Sequence, residues 1–120
     1  MLPNVSLSTP FFEIGLKAYV YGDEAVNLAL CADKLSKTYG VQIIFTPQHV
    51  DIPAIASTCK HLAVFAPHID PVEIGKGNGA MLAEAIKAAG ASGTILNHAE
   101  KPLTLHQITQ AVRRAEQAGL

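Results

Sequence analysis

Four short apolar runs, each followed by a segment of helical periodicity, constrain the fold of this chain more than any other feature. The runs are FFEIGLKA at 11–18, VQIIF at 41–45, HLAVFA at 61–66 and GTILN at 93–97. Runs this short and apolar predict strands buried on both faces, hence parallel strands covered by helices. Parallel neighbours cannot be joined by a tight hairpin and need a crossover, usually a helix. The chain therefore reads as four successive β-α units of the α/β class.

The intervening segments carry the matching helix signals. From Asp23, read as an N-cap acid, Val26, Ala29, Leu30 and Leu35 fall on an apolar stripe that ends at Gly40, where a left-handed C-cap is wanted. Asp51 followed by Pro53 opens a short helix through Cys59. A long loop runs from Pro67 to Gly79, and Leu82, Ile86 and Ala89 then mark a third helix to Gly90. The fourth is the clearest, because Thr104 and Gln107 form a capping box and Leu103 can staple against Ile108. Leu105, Ile108, Val112 and Ala115 supply its apolar face, and Gly119 sits at the C-cap. Two architectures share this pattern, an open doubly wound sheet and a (β/α) barrel. An open flavodoxin-like sheet would put strand 1 in the centre and keep Lys17 apart from His98.

With 120 residues, 49% apolar and 16% charged, the chain has the size and core material of a single domain, 1–120, in which 1–10 is a lead-in. Nine basic and ten acidic side chains are scattered along it, so no electrostatic footprint for nucleic acid or an anionic membrane is present. No stretch reaches the ~18 apolar residues of a membrane span, and Met1 to Pro10 lacks the pattern of a signal peptide. Cys31 and Cys59 lack the spacing of a disulfide framework or a metal knuckle and read as buried thiols, which suits a reducing cytoplasm.

In parallel α/β folds ligands collect at the C-terminal ends of the strands. The polar residues there are Lys17, Gln48, His68 with Asp70, and His98 with Glu100. A lysine after an apolar strand needs solvent, a carboxylate or an anionic ligand. His98 precedes a capped helix whose partial positive end favours neutral imidazole, although a purely structural histidine fits the same position. Glu100 is either a general base or a helix-head acid paired with a lysine. The EIGKGNG segment at 73–79 has neither phosphate-loop nor dinucleotide spacing, and reads equally as a protrusion that packs on another subunit. No histidine pair has metal-ligand spacing, so neither a metal nor a cofactor is expected.

Taken together, GLKAY at 15–19, TPQ at 46–48, HIDP at 68–71, AIKAAGASGTILNHAEKPLTL at 85–105 and RRAEQAGL at 113–120 resemble triosephosphate isomerase, especially its archaeal type. The resemblance runs from about residue 11 to the end, and LNHAE at 96–100 is its most specific part. It implies a (β/α)8 barrel, of which this chain holds the N-terminal half. It also implies roles at the site. Lys17 attracts the substrate phosphate and stabilises the enediolate, His98 is the neutral imidazole that polarises the carbonyl, and Glu100 helps hold the charges in place. Gly15 and Lys17 would line the substrate. The 67–79 loop would insert beside a neighbouring subunit's site. Triosephosphate isomerase is a standard example of a separate glutamate base and a closing loop.

Several positions depart from the family pattern. Gly15 stands where asparagine is usual, Ala99 where serine follows the histidine, and Pro67 and Asn78 where glutamine and threonine are common. These changes suggest a different sugar phosphate or a weakened enzyme. A complete barrel needs about 250 residues, so the other half is expected to hold the base, the lid and the main phosphate loops. A half-barrel leaves two open strand edges, and self-association through them and the 67–79 loop, or a complementary C-terminal half, is expected. The alternative of a different class is a catalytically silent half-barrel that serves as an assembly or binding module.

Overall fold

Parallel pairing joins the strands of this computed structural model, which describes residues 6–120, in the order in which they occur along the chain. The elements are β1 (Phe11–Gly15), α1 (Gly22–Tyr39), β2 (Gln42–Thr46), α2 (Ile52–Thr58), β3 (Leu62–Ala66), α3 (Ala83–Ala88), β4 (Gly93–Thr94) and α4 (Leu105–Ala118). A 3-10 turn at His49–Asp51 leads into α2. Because the order is β1-β2-β3-β4, every crossover steps in the same direction and β1 lies at an edge. That excludes the flavodoxin-like alternative, whose first strand is central.

All four helices pack on one face of the sheet. Ala25, Ala29 and Ala32 of α1, Ile52 and Ile55 of α2, Ala83 and Ile86 of α3 and Ala115 of α4 join Ile43, Phe45, Val64 and Ala66 in a single core. Strand alternation then assigns the other face to Glu13 and Gly15, Ile44 and Thr46, Ala63 and Phe65, and Gly93. Phe45, Ile52, Ile55 and Ile69 are fully buried, each stabilising the fold by about 1.5–3 kcal/mol. Helices on one face and single-direction winding are the geometry of a barrel segment.

Several expectations shift. The first strand stops at Gly15 rather than running to residue 18, and the fourth pairs only through Gly93–Thr94 before a single Ile95 N–H to Ala66 carbonyl bond. Helix α1 begins at Gly22 with Tyr21 at the N-cap, so Asp23 is a first-turn acid and not the cap. Its buried stripe is Ala25, Ala29, Ala32 and Ser36, while Leu30 and Leu35 are exposed. Helix α1 thus sets its small residues against the sheet and leaves the larger ones on its flanks, unlike α2 and α3, which bury Ile52, Ile55 and Ile86. Helix α4 behaves alike, burying Ala111 and Ala115 and leaving Leu105 and Val112 exposed, although its Thr104–Gln107 capping box forms as expected. Cys59 is buried, but Cys31 is exposed, which corrects the reading of both as buried thiols. Of the lead-in, residues 1–5 lie outside the described residues, and 6–10 form no helix or strand. Among the described residues no helix is long and apolar enough to cross a membrane.

The missing cap of α1 comes from elsewhere in the chain. Asp51, itself 8% exposed, accepts a 3.0 Å hydrogen bond from the Gly22 N–H through Oδ2. One carboxylate thus ties the start of α1 to the turn before α2, with the helix dipole favouring the negative charge. Replacing it strands a part-buried amide. Asp51→Ala is expected to lower the unfolding free energy by about 1–2 kcal/mol, read as a lower urea midpoint at unchanged slope. An unaltered midpoint would show that the contact contributes nothing.

Candidate active site

The ends of β1 and β4 bring their polar residues into one cleft through two left-handed turns. After Gly15, the Leu16 N–H still donates to the Thr46 carbonyl at 3.0 Å, and the Leu16 side chain is buried in the core. Lys17 then adopts φ 51°, and a Tyr19 N–H to Leu16 carbonyl bond of 3.2 Å closes the turn around it. A non-glycine residue there costs about 1–3 kcal/mol. The anchored Leu16 holds it in place. Lys17 is thereby set at the lip of the cleft.

At β4 the corresponding turn is made by Asn97, with φ 54°. Its Oδ1 accepts from the Leu103 N–H at 2.9 Å, and the Lys101 N–H donates to the His98 carbonyl at 2.8 Å, so the 97–103 loop is fastened to itself. Inside that loop the Glu100 N–H donates to His98 Nδ1 at 3.0 Å. A ring nitrogen that accepts an amide proton carries none of its own. The bond therefore selects the neutral tautomer with its proton on Nε2.

Glu100 Oε2 lies 3.4 Å from Lys17 Nζ and 3.6 Å from His98 Nδ1. The second distance would count as an ion pair only for a protonated ring, and the amide bond to the same nitrogen argues against that form. Lys17 and Glu100 are 51% and 63% exposed in their side chains, so their attraction contributes at most about 1 kcal/mol to stability. A lysine cation and an imidazole N–H beside one cleft can both stabilise negative charge that develops on a bound oxygen.

Sequence reasoning pointed to further polar residues, and their placements differ. Gln48, His68 and Asp70 line the same cleft of about 900 Å³, as does Gly15. His68 is 6% exposed and donates from Nε2 to Asp70 Oδ1 at 2.9 Å, while its Nδ1 is buried without a partner among the described residues. Asp70 Oδ2 accepts from the Met81 N–H at 2.7 Å, and the Asp70 N–H donates to the Met81 carbonyl at 2.9 Å. These bonds clamp the two ends of the glycine-containing loop. Arg114 of α4 steadies the same region, donating to the Val72 carbonyl at 3.0 Å and pairing with Glu84 of α3. Glu13, Thr46, His49 and Lys101 also line the cleft, and sequence reasoning missed them. Glu13 was open to discovery, since it lies two residues before Gly15 and shares its strand face. Among the described residues no group of His, Cys, Asp and Glu could hold a metal ion.

A parallel sheet wound in one direction, with its polar residues gathered at the C-terminal strand ends, defines a segment of a (β/α) barrel protein. The triosephosphate isomerase family model matches residues 12–120, and the chain belongs to that family. A triosephosphate isomerase of Saccharolobus solfataricus is 38% identical over 116 residues, covering 95% of this chain and 51% of that protein. One of Methanothermus fervidus is 36% identical over 110 residues, covering 90% and 49%. The crystal structure of the Bartonella henselae triosephosphate isomerase superposes with a TM-score of 0.77 at 19% identity, over 92% of this chain and 48% of that one. The fold is thus the N-terminal half of a (β/α)8 barrel. The chain spans about half the length of the curated relatives it matches.

The Asp70 clamp should be sensitive to acid. Burial alone raises the Asp70 carboxyl, but the Met81 amide and the His68 ring outweigh it and hold the group below its ordinary value. A folded-state value below the unfolded one adds stability that is whole above about pH 4 and is lost as pH falls through the folded value. Asp70→Asn should therefore lose less stability than the parent chain between about pH 4 and pH 2, measured by urea unfolding across that range. Parallel acid limbs would remove Asp70 from the account.

Proposed function

We propose that this chain contributes the lysine and histidine side of the active site in an aldose-ketose isomerase acting on small phosphorylated sugars. The observation that carries the reading is the Glu100 amide bond to His98 Nδ1, which leaves Nε2–H as the ring's donor beside the Lys17 cation. In the reaction, a base removes the proton from the carbon next to the carbonyl, and the electron pair moves into an enediolate. Negative charge then builds on the former carbonyl oxygen. His98 donates to that oxygen from Nε2 and passes a proton between the two substrate oxygens, and Lys17 offsets the charge there and on the phosphate. The Glu100 carboxylate adjusts the field between the Lys17 ammonium and the imidazole. Gly15 belongs to the substrate wall.

The step requires no cofactor, and the proton-abstracting base is not among the residues assigned here. The cleft is open on one side, and a complementary C-terminal half or a second copy would cover it. Contacts through the 67–79 loop and the free edges of β1 and β4 suit that pairing. Two unpaired cysteines accord with a cytoplasmic setting. The exposed Phe11 and Phe12 on edge strand β1 favour one second reading, a catalytically silent half-barrel that self-associates. That reading predicts concentration-dependent oligomers and no turnover.

The test is turnover of triose and tetrose phosphates by the complete polypeptide as the cell makes it. Lys17→Ala and His98→Gln should each lower kcat by about a hundredfold or more without shifting the thermal midpoint by more than a few degrees. Near-normal turnover in either variant would overturn these roles, and none in the parent would favour the silent module.

A further inference from the structure

One wall of the cleft presents hydrogen-bond acceptors where a sugar would bind. Gly15 has no side chain and Pro67 no N–H, and both line the cleft. The Glu13 carboxylate reaches over the space that Gly15 leaves, since a Cβ on Gly15 would stand 3.0 Å from Oε1 and 3.5 Å from Oε2. Across the sheet Thr46 is in register with Gly15 and on the same face. Thr46 is 5% exposed, and its Oγ1 is buried without a hydrogen-bond partner among the described residues. No ion pair engages Glu13 among the described residues. Two polar side chains without partners among the described residues thus stand on either side of Gly15 in this wall of the cleft.

The chemistry of that gap limits what fills it. An ionised carboxylate only accepts, so its partner must donate, and a phosphate is repelled. A sugar hydroxyl does both jobs, donating to Glu13 and accepting from the Thr46 hydroxyl. The space above a glycine also accommodates atoms that any side chain would displace. We infer that Glu13 and Thr46 form a hydroxyl-binding subsite over Gly15, and that the substrate carries at least one more hydroxylated carbon than a triose phosphate. This deepens the isomerase reading above and rests on it. Its phosphate lies away from Glu13, and its additional hydroxyl lies against it. Glu13 is then the residue that discriminates by chain length.

Calorimetric titration of the complete polypeptide with erythritol 4-phosphate and with glycerol 3-phosphate tests this without turnover, because neither has a carbonyl. The parent should prefer the four-carbon ligand by about ten- to a hundredfold, the range of a hydrogen bond to a charged group. Glu13→Ala and Thr46→Val should each bring the affinity ratio toward one. Glu13→Gln, which keeps the size and one acceptor, should retain part of it, and circular dichroism reports whether each variant is folded. Should a variant fail to fold, the parent's ratio and the isosteric Glu13→Gln decide the matter. Tight binding of both ligands without preference, or a preference that survives Glu13→Ala, overturns the inference and leaves the isomerase reading standing. Binding of neither ligand by the parent overturns both.

Discussion

The β1–β2 ladder, continued by the Leu16 N–H to Thr46 carbonyl bond, is the contact on which the cleft depends. Side chains alternate along a strand, so a slip of one residue would exchange its two faces. Glu13, Gly15 and Lys17 would then point at the helices, and Ile14 and Leu16 at the cleft. Burial prevents it. Leu16 belongs to the core and Ile14 packs against it, so a slipped register would place a carboxylate and an ammonium among Ala25, Phe45 and Ile52. Desolvating either charge costs several kcal/mol, more than the strain at Lys17. The same apolar packing that stabilises the helices therefore aims the polar residues away from them.

Two non-glycine residues with left-handed backbone flank the site, Lys17 and Asn97. Asparagine tolerates that region because its short amide bonds locally, and here Oδ1 accepts from Leu103. Lysine has no such local partner. The exposed Lys17–Glu100 pair contributes too little to offset the strain, so the turn is held by backbone bonds and by Leu16. Its position therefore does not depend on Glu100. The imidazole is held in the same manner, by the Glu100 backbone amide. Backbone groups thus fix the placements, while the carboxylate adjusts the field between them.

How far the amino-acid sequence revealed this arrangement depends on whether a feature is local. The capping box of Thr104 and Gln107, the Gly40 cap and the LNHAE loop could be read directly, because each is a short pattern with its own hydrogen bonds. The helix faces were legible only in part, since Ala29, Ile86 and Ala115 are buried as expected but Leu30, Leu35, Leu105 and Val112 are not. Periodicity favours large apolar residues such as Leu30, Leu35 and Leu105, but α1 and α4 bury alanines against the sheet, and their large residues fall to the flanks. Asp51 illustrates the other limit. It reads as the start of α2, while its carboxylate caps α1, 29 residues away, through a fold contact that no local window contains. His68 and Asp70 likewise resembled site residues, and the fold uses them to clamp a loop. Winding direction was open until the strand order appeared, since barrel and open sheet share every local signal.

Solvent exposure governs what the gathered charges can do. At 3.4 Å in bulk water the Lys17–Glu100 attraction is on the order of 1 kcal/mol, and at an effective dielectric of 20 it is on the order of 5 kcal/mol. Both side chains are more than half exposed here, which puts the pair near the weak limit. A complete (β/α)8 barrel has four further strands and helices, which continue the sheet past β1 and β4. A layer over the cleft would displace water from Lys17, His98, Glu100 and Glu13 together, strengthening every interaction among them at once. Covering an unpaired Glu13 without a hydroxyl donor would, however, carry the cost of a buried charge. Such a layer would then have to bring a donor or a cation to that carboxylate, or enclose a ligand that does.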